Sequence, residues 1–306
     1  MPHWMNALAQ LKGAYAENTI RAYRGDFADF GGWCDEQGVT ALPTEAETLV
    51  AYVEARAATH TPATISRRLA GIGRVHRLLG YDNPTRVDAV ALALKRIVRG
   101  KGRRQRQAAG LSATLRDRLL SACGSDLRGL RDQALIAVGY DTLCRRSELV
   151  QLRMEDIDVL PDGDASMLVR RSKTDQAGEG RLAYLGNATV GLVEAWARAA
   201  GFDDGPLFRP VLGLRVAEKP LHANAVPRIL KALAKEAQVE PALCKKISGH
   251  SMRVGAAVDM AENGIDLVPI MHAGGWKSPN MVVRYTQQIS LQKSGMAQLH
   301  AKRLKS

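Results

Sequence analysis

The 306-residue chain has only four cysteines, Cys34, Cys123, Cys144 and Cys244, and no two of them form a C-x-x-C pair. Such scattering excludes a thiol metal knuckle and argues against a disulfide framework in a chain this long. The four are expected to be thiols of a reducing compartment, most of them buried. Long apolar runs are missing as well. The longest, such as "ALIAVGY" at 134–140, fall far short of the roughly 20 residues that cross a bilayer. The amino-terminal "MPHWMNALAQLKGAYAENT" has no basic segment followed by an apolar one, so no secretory leader is expected. The chain reads as cytoplasmic, without internal repeats or low-complexity stretches.

Acids are the other shortage. Lysine and arginine total 43 against 31 aspartates and glutamates, a formal charge of +12. That excess favours a polyanionic partner, nucleic acid foremost, and is silent on fold. The length suffices for two domains, each with its own core.

Residues 1–100 read as amphipathic helices. In "ENTIRAYRGDFADFGGWCDEQG", Ile20, Tyr23, Phe27, Phe30 and Trp33 recur at spacings of three or four, one helical stripe. Asn18 or Thr19 is the expected cap, and Gly38 the stop. Thr44 is placed to cap the next helix. In "TPATISRRLAGIGRVHRLLG", Ile65, Leu69, Ile72, Val75 and Leu79 point inward and Arg67, Arg68, Arg74 and Arg77 outward, toward a DNA-facing surface. "KRIVRGKGRRQR" at 95–106 holds seven basic residues and no acid. Its end, with Arg103, Arg104 and Arg106, reads as an exposed linker over 101–110 that lies along a phosphate backbone. Beyond 111 the pattern is helical except for "SMLVRRSKTDQAGEGRLAYLG", a hairpin. Later helices are expected near 188–200, 223–237, 250–263, 266–273 and 279–285. The fold class is therefore mainly α, in two domains.

Several polar residues are hard to place on a surface. Arg145 and Glu148, three apart in "TLCRRSELVQLRMEDI", meet on one helical turn; alone, they would read as a surface salt bridge. In "SGHSMR", His250 and Arg253 open a helix whose N-terminus attracts anions. "AGGWKSPNMVVRY" adds Trp276 and Tyr285. No acidic cluster of the two-metal nuclease type occurs among these motifs.

Taken in order, these motifs and the hairpin lysine, Lys173 in "RRSKTD", resemble the tyrosine recombinase (phage-integrase-type) family, most closely its Cre-like members. The resemblance covers nearly the whole chain and is most specific at 139–157 and 247–287. It implies a DNA clamp of a helical N-terminal domain (1–100), the basic linker, and a mostly helical catalytic domain (111–306) with a small β-hairpin or sheet. Phosphoryl transfer from a DNA phosphodiester to Tyr285 is the implied reaction. Arg145, Arg253, His250 and the Trp276 indole would donate to the phosphate oxygens. Lys173 would act as general acid, and Glu148 would orient Arg145 or His250. Arg146 is expected on a different face. Many family members carry histidine at the place of Trp276, while Cre-like members carry tryptophan. The 3′-phosphotyrosyl bond keeps the energy of the cut, so neither ATP, metal nor other cofactor is expected.

Sequence readout is assigned to His222, Asn224 and Arg228, near the start of a helix that enters the major groove in Cre-like proteins. The implied partner is double-stranded DNA with paired inverted-repeat half-sites. Four copies would assemble on two sites from a protein monomeric in solution, bacterial or phage-type and nucleoid-associated. The carboxy-terminal segment, 290–304, would form a helix docking on a neighbouring subunit. A type IB topoisomerase would share the chemistry without needing paired sites.

Overall fold

The computed structural model describes residues 2–102, 107–170, 180–286 and 295–303, and the chain divides into two units, 1–106 and 107–306. The first contains α1 (His3–Ala9), α2 (Glu17–Gln37), α3 (Ala46–Ala57), α4 (Pro62–Leu78) and α5 (Asp88–Lys101). Helix α2 buries Ile20, Phe27, Phe30 and Trp33, with Tyr23 at the margin, and stops at Gly38 in the left-handed conformation. Facing it, α4 contributes Ile65, Leu69, Ile72 and Val75. Thr61 caps α4 by accepting from the Thr64 N–H, and Pro62 occupies the first turn.

Two caps differ from expectation. Helix α2 starts at Glu17 behind Ala16, and the Asn18 side chain accepts from Arg21 instead of capping. Helix α3 starts behind Glu45. Thr44 is buried, and its N–H donates to His76 Nε2 on α4. Thr44 thus lies one residue ahead of the N-cap, and its buried Oγ1 caps nothing.

The second unit begins with α6 (Ala113–Ser121), α7 (Leu127–Asp141) and the single turn α8 (Arg146–Leu149). Strands β1 (Ile157–Val159), β2 (Ala165–Val169) and β3 (Arg181–Leu185) form an antiparallel sheet in that order, with Val169 opposite Arg181. Its inner face carries Ala165, Met167, Val169, Ala183 and Leu185 into a core shared with Trp196 and Phe208. The β2–β3 pairing is the expected hairpin. Strand β1 and a second hairpin, β4 (Val211–Leu212) with β5 (Arg215–Val216), were not foreseen, because two or three residues show no readable alternation.

Helices α9 (Asn187–Ala200), α10 (Ala225–Glu236), α11 (Pro241–Lys246), α12 (Ser251–Glu262), α13 (Leu267–Gly274), α14 (Pro279–Tyr285) and α15 (Gly295–Arg303) follow. A smaller cluster of Leu143, Ala256, Ala257, Ile270, Trp276 and Val282 forms where α12, α13 and α14 meet, with Tyr285 packed against it. The small residues of α12 have a steric cause. A Cβ on Gly255 would lie 1.9 Å from Leu111 O. That close approach lets Leu111 N–H donate to Ser251 O at 2.8 Å and Ala113 N–H to Asp259 Oδ2 at 2.7 Å. Among the described residues no helix is long and apolar enough to cross a membrane.

Candidate active site

Arg145 precedes α8 in an extended conformation. Glu148, three residues on, reaches back to it twice. Its Oε2 accepts from the Arg145 backbone N–H at 3.0 Å, and Oε1 from Nη1 at 2.7 Å. The carboxylate thereby satisfies a helix-start donor and fixes the guanidinium. Glu148 is buried and Arg145 largely so, so this is an orienting pair and not a surface salt bridge.

The backbone just ahead of Arg145 is unusual. Leu143 has φ 51°, a left-handed conformation that costs a non-glycine residue roughly 1–2 kcal/mol. Two arginines grip consecutive carbonyls there. Arg181 Nη2 donates to Thr142 O at 2.6 Å, and Arg253 Nη1 donates to Leu143 O at 2.5 Å.

Arg253, on the first turn of α12, is 2% exposed, and its Nη2 has no hydrogen-bond partner. Its guanidinium lies over the Trp276 ring, 4.0 Å from the centroid, a cation–π contact that burial strengthens. Burial pushes its pKa down to about 10, and the charge of Arg145 adds to that. It remains a cation at neutral pH. A buried cation with an unused donor is costly unless an anion completes it.

The Gly-Gly-Trp turn explains itself sterically. A Cβ on Gly274 would fall 2.0 Å from the indole of Trp276. Gly275 closes α13 at φ 62°. The indole lies against Gly274 and under the Arg253 guanidinium, and the Tyr285 ring stands 5.9 Å away, tilted by 60°. Trp276 therefore acts at least as a platform for Arg253.

His250 sits at the N-cap of α12 in a turn knit by Ser248 and Ser251: Ser248 N–H donates to Ser251 Oγ, and His250 N–H to Ser248 Oγ. Local desolvation, then the charges of Arg253, Arg146 and Arg145, hold its imidazole below the ordinary 6.5. In the free protein it is neutral at neutral pH. Arg146, expected on a different face from Arg145, is exposed, while Arg145 turns in to Glu148. The Arg146 stem lies against Gly249, where a Cβ would come within 2.8 Å of Arg146 Cδ.

The structure thus gathers Arg145, Glu148, His250, Arg253, Trp276 and Tyr285. Lys173 and the linker residues Arg103, Arg104 and Arg106 lie outside the described residues. His222, Asn224 and Arg228 share the exposed start of α10: Asn224 N–H donates to His222 Nδ1, and Arg228 Nε–H to Asn224 O. Arg67 is outward as expected, whereas the outward placement of Arg68 needs correction. Arg67 is half-exposed but paired with buried Asp26 at 2.5 Å. The side chain of Arg68 is 11% exposed and bonded to Asp29, Tyr52 and His60. An acid on α2, invisible to a reading of α4 alone, draws Arg68 inward.

Arg181 was missed. Its signal was present: it shares strand parity with the buried Ala183 and Leu185, so an arginine stands where the alternation places an inward residue. Among the described residues, no three His, Cys, Asp or Glu side chains gather as a metal site.

A phage integrase family model matches residues 111–290, and a model of the phage integrase N-terminal SAM-like domain matches 3–80. Over 298 residues the chain is 35% identical to an integrase/recombinase XerD homolog of Selenomonas ruminantium, covering 93% of this chain and 85% of that protein. It is 29% identical to the Cre recombinase of Escherichia phage P1, covering 94% and 88%. The fold resembles that of the XerH site-specific recombinase bound to a palindromic difH substrate (TM-score 0.66, 15% identity, 91% of this chain and 80% of that one). It also resembles a lambda integrase tetramer bound to a Holliday junction (TM-score 0.63, 14% identity, 92% and 76%).

Proposed function

Since the chain belongs to the phage integrase family and is a tyrosine site-specific recombinase, we propose that it cuts and rejoins duplex DNA through a 3′-phosphotyrosyl bond on Tyr285, without metal or ATP. The phenolic oxygen of Tyr285 attacks phosphorus, the bond to the 5′ oxygen breaks, and that oxygen takes a proton. Attack by a 5′-hydroxyl on the phosphotyrosine reverses these steps and frees the tyrosine. One bond replaces another of similar energy, so no nucleotide is consumed.

The observation that carries this reading is the buried Arg253, charged, with Nη2 unpartnered, stacked on Trp276 beside Tyr285. The charges of Arg253, Arg146 and Arg145 act together on His250, opposed by the Glu148 carboxylate. A phosphodiester supplies the missing anion, and its transition state spreads further charge over oxygens these donors address. Planar guanidinium forks suit that task better than ammonium groups. His250, neutral before DNA arrives, is able to accept the phenolic proton. Lys173 is assigned protonation of the leaving oxygen.

The partner is double-stranded DNA carrying paired inverted-repeat half-sites, clamped by residues 1–100 and 111–306 with the basic 101–110 segment between them. Arg228, Asn224 and His222 read the major groove; Arg103, Arg104 and Arg106 contact phosphates. The protein is a monomer in solution, nucleoid-associated in a bacterial or phage setting, and four copies act on two sites. In support, α15 exposes Met296 and Leu299, and a helix so short needs a packing partner, here a neighbouring subunit.

The test uses a randomised duplex library with EDTA present. Covalent protein–DNA species are isolated, sequenced and digested with protease, and the modified peptide is identified by mass spectrometry. The adduct is expected on Tyr285 through a 3′-phosphate, and Tyr285→Phe should abolish it while leaving DNA binding intact. An adduct on another residue, or strict dependence on magnesium, would refute the mechanism.

A further inference from the structure

We infer that Arg181 is a positioning residue for strand cleavage, holding the backbone turn ahead of Arg145 against the turn ahead of Trp276; this rests on the recombinase reading above. Its guanidinium joins two catalytic segments far apart in sequence. Nη2 donates to Thr142 O at 2.6 Å and lies 3.6 Å from Cys144 Sγ, while Nη1 donates to Ala273 O at 3.0 Å. The stem crosses Gly275, where a Cβ would come within 2.9 Å of Arg181 Cδ. Glycine at that position therefore serves both its φ and the passage of Arg181.

The turn that Arg181 grips is the strained one. Leu143 is buried, bulky and left-handed, and such a conformation persists only where its surroundings over-determine it. Here Arg181 from β3 and Arg253 from α12 hold the carbonyls of Thr142 and Leu143, one after the other. Releasing the first grip lets the turn relax toward ordinary dihedrals. Arg145 begins two residues later, and its backbone and side chain move with that turn. The second grip, on Ala273, fixes the lead-in to the Gly274–Trp276 platform under Arg253. Arg181 touches no reacting atom; it acts through the placement of Arg145 and Trp276. A planar fork suits carbonyls arriving from two directions, whereas an ammonium is a point charge on a flexible stem.

The test measures covalent adduct formation under single-turnover conditions on a duplex selected from the library, with half-site affinity and thermal melting measured in parallel. Arg181→Met and Arg181→Lys should each slow adduct formation about 10²-fold, the usual consequence of a misplacement near 1 Å. Half-site affinity should stay within about threefold of wild type. If Arg181→Met is unfolded at the assay temperature, Arg181→Lys decides, since it keeps the stem across Gly275. A wild-type rate for Arg181→Lys would overturn the inference, because charge alone would then suffice. Loss of rate matched by equal loss of binding, or unfolding of both variants, would overturn it by making Arg181 a brace of the fold. Failure of the wild type to form any adduct would instead remove the recombinase reading, so the two failures are distinguishable.

Discussion

Replacing Gly274 by alanine adds one methyl group at the most crowded point of the site. The added Cβ would stand 2.0, 2.3 and 2.5 Å from three atoms of the Trp276 ring. Carbon atoms in contact rest about 3.5–4.0 Å apart, so the indole must retreat by roughly 1.5 Å. Retreat is obstructed, because Arg253 covers a face of the ring at 4.0 Å and Tyr285 stands at 5.9 Å. Overpacking of this kind costs about 1–3 kcal/mol. Gly274 ends α13 without a positive φ, so the backbone itself tolerates alanine and even gains up to about 1 kcal/mol of helix propensity. The net loss of stability should be small, a few degrees in Tm. The catalytic loss should be large: displaced ring, Arg253 and Tyr285 together lower the single-turnover cleavage rate by at least about 10²-fold. The assay is adduct formation on a selected duplex, with binding followed by fluorescence anisotropy. Gly191→Ala is the control, since a Cβ on exposed Gly191, within α9, meets nothing within 4 Å. It should stabilise by about 0.5–1 kcal/mol and leave cleavage unchanged. A Gly274→Ala protein cleaving at the wild-type rate would refute the placement of the indole against Gly274.

Two further outcomes follow from the same geometry. His250 should titrate below 6.5 in free protein, for the desolvation and cationic neighbours named above. Its folded value lies below its unfolded one, so its stabilising contribution is complete above pH 6.5 and is lost as pH falls through the lowered value. Binding a phosphodiester should raise that midpoint, visible by NMR in a Tyr285→Phe complex; a midpoint above 6.5 in the free protein would contradict the crowding of cations. Deleting 288–306 should leave half-site binding by a monomer unchanged and abolish cooperative dimer binding and recombination. Cooperative assembly that survives the deletion would show that the tail does not link subunits.

Legibility in the sequence followed the range of each cause. The α2 stripe was readable because Ile20, Phe27, Phe30 and Trp33 obey one period on one helix, and its stop because Gly38 needs a left-handed φ. Arg145 with Glu148, and His250 with Arg253, were readable for the same reason, as each pair lies within a turn. What stayed hidden involves partners without a side-chain signature or far along the chain. The carbonyls of Thr142 and Leu143 carry no letter in the sequence, yet they fix two arginines. Arg68 looked like the outer face of α4 until Asp29, 39 residues earlier, placed it inside. Thr44 looked like a cap, but the helix starts one residue later, behind Glu45, and Thr44 is instead tied to His76 on α4. Strand β1 and the β4–β5 hairpin are too short for alternation to speak.

Arginine, and not lysine, recurs at this site for a reason that the two kinds of contact share. Arg253 uses one nitrogen to hold the Leu143 carbonyl and keeps another without a protein partner, while its face rests on Trp276. Arg145 likewise commits Nη1 to Glu148. In the proposed mechanism each guanidinium is thus divided between fixing its own position and addressing the phosphate, which a single ammonium group does poorly. That division means the donors need little reorganisation when charge develops on a phosphate, which is the condition under which electrostatic stabilisation is strongest. It also sets a cost. Burial pushes the pKa of Arg253 down to about 10, a cost to the free protein that the phosphate of the proposed mechanism would relieve. The strain at Leu143 belongs with it, since the unfavourable turn leads straight into Arg145, which in the proposed mechanism addresses the phosphate.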